Sequence, residues 1–217
     1  MTGHSVPPEF VSLAGRWCAN QSANLLASVW QGYDLLSSEP PSRFDRRDLE
    51  RSITQLLELR IRKVMSGDEP YDVQHSPRER ETMKSRGQPP EYDLAYVLRA
   101  DERIMWPLEA KVLETDGDVG EYIKDLKNEF LTCRYAPFSS EGAMLAYLLS
   151  GKPEIVFGNL ATKIPCRLTA HQDSWGRHHK TSDQQRQVEK GKPYPKDFCC
   201  HHLIMEFPSL ARSSKRI

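Results

Sequence analysis

Asp93, Glu109 and Lys111 are the residues of this 217-residue chain whose types and spacing best fit chemistry. Glu109-Ala110-Lys111 lies inside the apolar run 104–113, and alternate side chains of a strand share a face, so Glu109 and Lys111 project together. A second strand-like run, 92–98, precedes it. The polar connector 99–103 makes the two a hairpin. With the turn centred on Asp101, Asp93 falls opposite Glu109, with Cβ atoms about 4.5–5.5 Å apart. A slip of one residue would undo that juxtaposition.

Two carboxylates at this range need a cation, or one of them must hold a proton. An all-oxygen pair suits Mg²⁺, or Mn²⁺, which takes few protein ligands and keeps several waters. Lys111 beside them is placed to orient or deprotonate a water and to stabilise charge on a phosphate. Together these supply what phosphodiester hydrolysis needs. The plain alternative is a surface salt bridge among the three. Charged groups within an apolar strand speak against it, because burying unpaired charge is costly.

The elements that must position these residues follow from periodicity. Apolar residues from Phe10 to Leu35 recur every three to four positions, as one helix or two, and Pro40-Pro41 ends the segment. A second helix is predicted over 45–65, with Leu49, Ile53, Leu56, Leu57, Ile61 and Val64 as its stripe and Gly67 at its C-terminal end. Residues 66–90 are polar and read as a loop with a strand around 71–73. After the hairpin, 121–132 reads as a helix, 142–150 as a short helix or strand, and 155–160 and 164–169 as strands. Residues 170–196 read as a long loop, and 202–207 as a closing strand before a basic tail. The expected class is α/β or α+β around a mixed sheet.

Asp93, the spacer and Glu109-Ala110-Lys111 resemble the core of the PD-(D/E)xK, restriction-endonuclease-like nucleases. That core is a helix bearing an acid, a hairpin carrying Asp and Glu-x-Lys, then a helix and a further strand. Glu50 and Glu58 lie on the preceding helix, and Glu50, before Ile53-Thr54, is the favoured acid. The resemblance covers roughly 45–160. The Pro that often precedes the family's Asp is displaced here to Pro90.

The resemblance implies an α/β fold, a mixed central sheet flanked by helices (41–217), with an N-terminal helical appendage (1–40). It implies a Mg²⁺- or Mn²⁺-dependent nuclease, with DNA ahead of RNA as substrate. Asp93 and Glu109 would hold the metal, Lys111 would assist the water, and Glu50 would complete the set. Lys124, Arg134, Arg177 and Lys180 are the candidate phosphate and base contacts. By analogy of fold, such a nuclease works as an oligomer or as the effector subunit of an antiviral defence system. A catalytically inactive assembly or nucleic-acid-binding subunit is the alternative function.

Composition narrows this further. Lys+Arg and Asp+Glu both number 30, so net charge is zero, yet segment 91–130 holds eleven acids against five bases. Residues 131–217 hold thirteen bases against seven acids. Affinity for nucleic acid scales with the phosphates neutralised, so a neutral chain is expected to bind weakly alone and to need a partner. No membrane span or export signal is legible, and the expected compartment is the cytoplasm. The five cysteines read as reduced, packed thiols. Cys199-Cys200-His201-His202 resembles a zinc motif, but four adjacent residues cannot close one tetrahedron. A composite site drawing on His171, His178 or His179 remains as the zinc alternative.

Overall fold

A computed structural model describes residues 6–82, 88–172 and 176–211. The basic tail 212–217 lies outside the described residues, as do Ser174 and Trp175 of the basic loop.

Helix α1 (Pro8–Ser37) is one uninterrupted helix of 30 residues, opened by Pro8 in the first turn, where a missing N–H costs nothing. Helix α2 (Leu49–Val64) starts where the Asp48 side chain accepts the Arg51 N–H. It buries Ile53, Leu57 and Ile61. It ends at Val64 with Met65 extended; Gly67, expected at the helix end, instead takes φ 92° in the turn beyond. The two helices cross at Gly32, where a Cβ would stand 2.7 Å from the Ile61 side chain.

Strands β1 (Tyr71–His75), β2 (Leu94–Leu98), β3 (Met105–Leu113), β4 (Glu141–Leu148), β5 (Thr169–Ala170), β6 (His179–Gln185) and β7 (Asp197–Glu206) form one sheet. Its order is β1-β2-β3-β4-β7-β6-β5. The β3–β4 and β4–β7 pairs are parallel and the others antiparallel, so the sheet is mixed and the class α/β. Helices α1 and α2 cover one face, sharing a core with Tyr96, Leu108, Leu145 and Leu203. On the other face lie α3 (Gly120–Asp125), its π-helical continuation Leu126–Phe130 and α4 (Pro153–Lys163), packed with Ala95, Met144 and Ile204.

Three further sequence expectations are overturned. Of residues 164–169, expected as a strand, only Thr169 enters one, as the first residue of β5. Residues 155–160 are helical, not a strand: Pro153 starts α4, whose buried side Val156, Phe157 and Leu160 mimics an apolar strand over so short a run. Residues 170–196 are not a loop throughout, because they contain β6. Its polar composition hides buried side chains on both faces, His179 on the side of α1 and Ser182 and Gln184 on the other.

The hairpin register is the expected one. Leu94 pairs Leu108 and Tyr96 pairs Trp106, so Asp93 occupies the first position past the end of the β2 ladder.

Candidate active site

Strand β3 is nine residues long but pairs β2 only as far as Leu108. Beyond that point its N–H groups on the β2 side need other acceptors. Two carboxylates supply them. Asp93 Oδ2 accepts the Ala110 N–H at 2.8 Å, and Glu50 Oε2 accepts the Val112 N–H at 2.9 Å. The end of one ladder thus draws in an acid from the strand behind it and an acid from the first turn of α2.

Lys111 gathers the cluster. Its Nζ lies 3.1 Å from Glu50 Oε1, 3.3 Å from Glu109 Oε1, 3.1 Å from Asp125 Oδ2 and 4.0 Å from Asp93 Oδ2. It also donates to the Ala110 carbonyl at 2.8 Å. Four carboxylates from α2, the β2 approach, β3 and α3 therefore surround one ammonium.

Burial decides the protonation states. Glu109 is 6% exposed; burial, then the neighbouring Asp93 charge, raise its carboxyl well above the usual range. Asp93 and Glu50 are also raised by burial, against the pull of Lys111. Burial alone would lower the Lys111 pKa. The charges of Glu109, Asp93, Glu50 and Asp125 outweigh it and push the ammonium up. The surrounding carboxylates thus favour Lys111 as a cation, which suits charge stabilisation and water orientation.

Glu109 Oε2 is a buried oxygen with no described hydrogen-bond donor. A buried acceptor left so is costly unless it carries a proton or meets a cation. The donor set is carboxylate only, which suits a hard divalent ion such as Mg²⁺ or Mn²⁺.

The sequence-expected residues Asp93, Glu109, Lys111 and Glu50 are brought together. Glu58, the other helix acid, pairs instead with Arg62 at 2.5 Å. The four expected nucleic-acid contacts have local partners. Lys124 pairs with Glu121 at 2.7 Å, and Arg134 pairs with Glu129. Arg177 pairs with Asp34 at 2.5 Å over the Trp30 ring, and Lys180 lies over the Phe157 ring. Among the described residues none of the four bonds to the acidic cluster, and Lys124 only senses the charge of Asp125.

Sequence reasoning passed over Asp125 and the arginines of the α2 approach. A cleft of about 340 Å³ opens beside Glu50 and is lined by Arg46, Arg47 and Val112. Asp125 carries no motif signal, and it reaches Lys111 only through the packing of α3. Comparison with protein-family models, curated proteins and solved structures gives no match, so the chemistry of the chain is read from this geometry.

Proposed function

We propose that the chain is a divalent-metal-dependent nuclease with the restriction-endonuclease-like core, hydrolysing phosphodiester bonds of DNA ahead of RNA. The observation that carries this is the convergence of Glu50, Asp93 and Glu109 on Lys111, with a buried Glu109 oxygen lacking a donor. The order α2, β1–β3, α3, β4 agrees with the family's acid-bearing helix, hairpin, helix and strand.

Asp93 and Glu109 would hold Mg²⁺ or Mn²⁺, with Glu50 the third acid. The metal supplies a Lewis acid for the phosphate and a lowered pKa for bound water. Lys111 stays an ammonium and stabilises negative charge on the phosphate as it builds up. Arg46 and Arg47, beside Glu50, are suited to hold a flanking phosphate.

The closed set of ion pairs around Lys111 favours one second reading. Such a network neutralises itself and suits a catalytically inactive, nuclease-like subunit. Plasmid cleavage with Mg²⁺ or Mn²⁺ separates the two. Wild type should cut, Glu58→Gln should cut equally, and Glu50→Gln, Glu109→Ala and Lys111→Ala should be inactive. Equal behaviour of all five chains, at matched folding by circular dichroism, overturns the nuclease reading.

A further inference from the structure

Three histidines meet on the opposite face of the same sheet. In the β6–β7 register His179 pairs Leu203 and Thr181 pairs His201, so His179 and His201 are diagonal neighbours on one face. In the β5–β6 register Thr169 pairs Thr181, and the backbone bond from His171 N–H to the His179 carbonyl carries that register one step further. His171, one residue past the end of β5, therefore joins the same row beside His179 of β6 and His201 of β7. His179 and His201 are 3% and 4% exposed.

Their nitrogens are close enough for one ion. His179 Nε2 and His201 Nδ1 are 3.1 Å apart, and one ligating atom from each of the three lies within 4.8 Å of the others. Two imidazole nitrogens on a tetrahedral Zn²⁺, at ~2.0–2.1 Å each, stand about 3.3 Å apart. The His171 and His179 rings are stacked at 4.2 Å with their planes 11° apart, so His171 completes the set by turning its ring until its lone pair converges with the other two.

The support behind the row is that of a ligand site. His201 Nε2 faces Glu141 Oε2 at 3.4 Å, and a proton on Nε2 leaves the Nδ1 lone pair directed at His179. A carboxylate behind a ligating imidazole is the usual orienting partner in zinc centres. Without an ion, His179 Nε2 and His201 Nδ1 must share one proton. With an ion, that proton moves to His179 Nδ1, and both lone pairs reach the metal. On the other side a cavity of about 490 Å³ opens on His171 and His179, with Trp30, Gln31 and Arg177 in its wall.

The structure assigns a transition-metal site to His171, His179 and His201, with Zn²⁺ as the fitting ion and a fourth position open to that cavity. All-imidazole ligation suits Zn²⁺ and excludes Mg²⁺, so this site and the acidic cluster select different ions. Adjacent Cys200 and His202 point to the opposite face, with Phe198 and Ile204, and take no part. Three protein ligands with an open fourth position is the arrangement of sites that receive a water or an anionic ligand, unlike closed four-ligand structural zinc.

The test is titration of the chelator-stripped full chain with Zn²⁺ alone, read by calorimetry and elemental analysis. Wild type and Glu109→Gln should each bind one equivalent. His171→Asn, the most exposed of the three, should keep the far-UV spectrum and lose that binding. Glu141→Gln should weaken it about 10–100-fold. Co²⁺ should give visible bands of tetrahedral intensity without thiolate charge transfer. Zinc binding unchanged in His171→Asn, lost in Glu109→Gln, or accompanied by thiolate charge transfer overturns the assignment.

Discussion

Asp93 and Ala110 are joined where β2 leaves β3: the aspartate Oδ2 accepts the alanine N–H at 2.8 Å. Two residues on, Glu50 does the same for Val112. Each carboxylate is therefore anchored by one backbone donor. Among the described residues Glu109 has no backbone donor; it accepts from Lys111 and shares a side-chain hydrogen bond with Asp93, so it is the carboxylate whose charge is least supported.

That difference sets an expectation for stability. Burial and Asp93 raise the Glu109 pKa in the folded chain, so the native state holds the proton more tightly than the unfolded one. The sign follows directly. Folding is helped below the unfolded carboxyl pKa near ~4.3, and the help fades as pH rises toward the folded value. Glu109→Gln removes this dependence. In melting curves without divalent metal from pH 5 to 8, the wild type should lose stability relative to Glu109→Gln as pH rises. Parallel curves would show that Glu109 carries no such cost.

Metal affinity should move the opposite way. Coordination needs the Glu109 carboxylate, and a group with a raised pKa must release a proton to supply it. Mg²⁺ affinity should therefore increase with pH through neutrality, by up to about tenfold per unit while Glu109 is protonated. Calorimetry in two buffers of different ionisation enthalpy should show about one proton released. A Mg²⁺ affinity flat from pH 6 to 8, with no proton released, would refute this.

Much of this site is legible in sequence because short-range rules govern it. The spacing of Asp93 and Glu109 about a turn at Asp101 fixes the register, and the observed pairs Leu94–Leu108 and Tyr96–Trp106 keep it. Alternation then puts Glu109 and Lys111 on one face. Asp125 is not legible, because its approach to Lys111 depends on how α3 packs after a turn, and no periodicity encodes that. Strand β6 is hidden for a related reason. His179, Ser182 and Gln184 are buried through partners such as His202 and Cys166, so polarity there marks a hydrogen-bonded interior instead of a loop. The row of His171, His179 and His201 needs the β5–β6–β7 order, which pairs residues 22 apart in the chain.

Removing the cation should be costlier than removing any one acid. The Lys111 side chain is 17% exposed, and without it Glu50, Asp93, Glu109 and Asp125 face one another. Breaking such a pair from one side typically costs about 3–5 kcal/mol. Lys111→Met should lower the denaturant midpoint accordingly. Millimolar Mg²⁺ should restore more stability to the variant than it adds to wild type, because a divalent ion replaces the lost charge. Equal Mg²⁺ stabilisation of both chains would mean that the ion does not enter this cluster.

The segment after Asp125 should depend on Arg186. Its guanidinium is buried and donates to the carbonyls of Phe130, Tyr135, Ala136 and Ser139. Burial lowers its pKa to about 10, so it stays charged at neutral pH. Cys133 and Ala136, held between those carbonyls, adopt φ of 58° and 46°, which non-glycine residues take only under constraint. Arg186→Met removes the donors and leaves four buried acceptors, a loss of roughly 3 kcal/mol or more. At ~2–4 °C per kcal/mol for a chain of this size, the melting temperature should fall by about 6–12 °C. Amide exchange should quicken across 126–140, directly after the helix that carries Asp125 to Lys111. Unchanged exchange there would place the constraint on Cys133 and Ala136 in the neighbouring aromatic packing of Tyr135 and Phe138 instead.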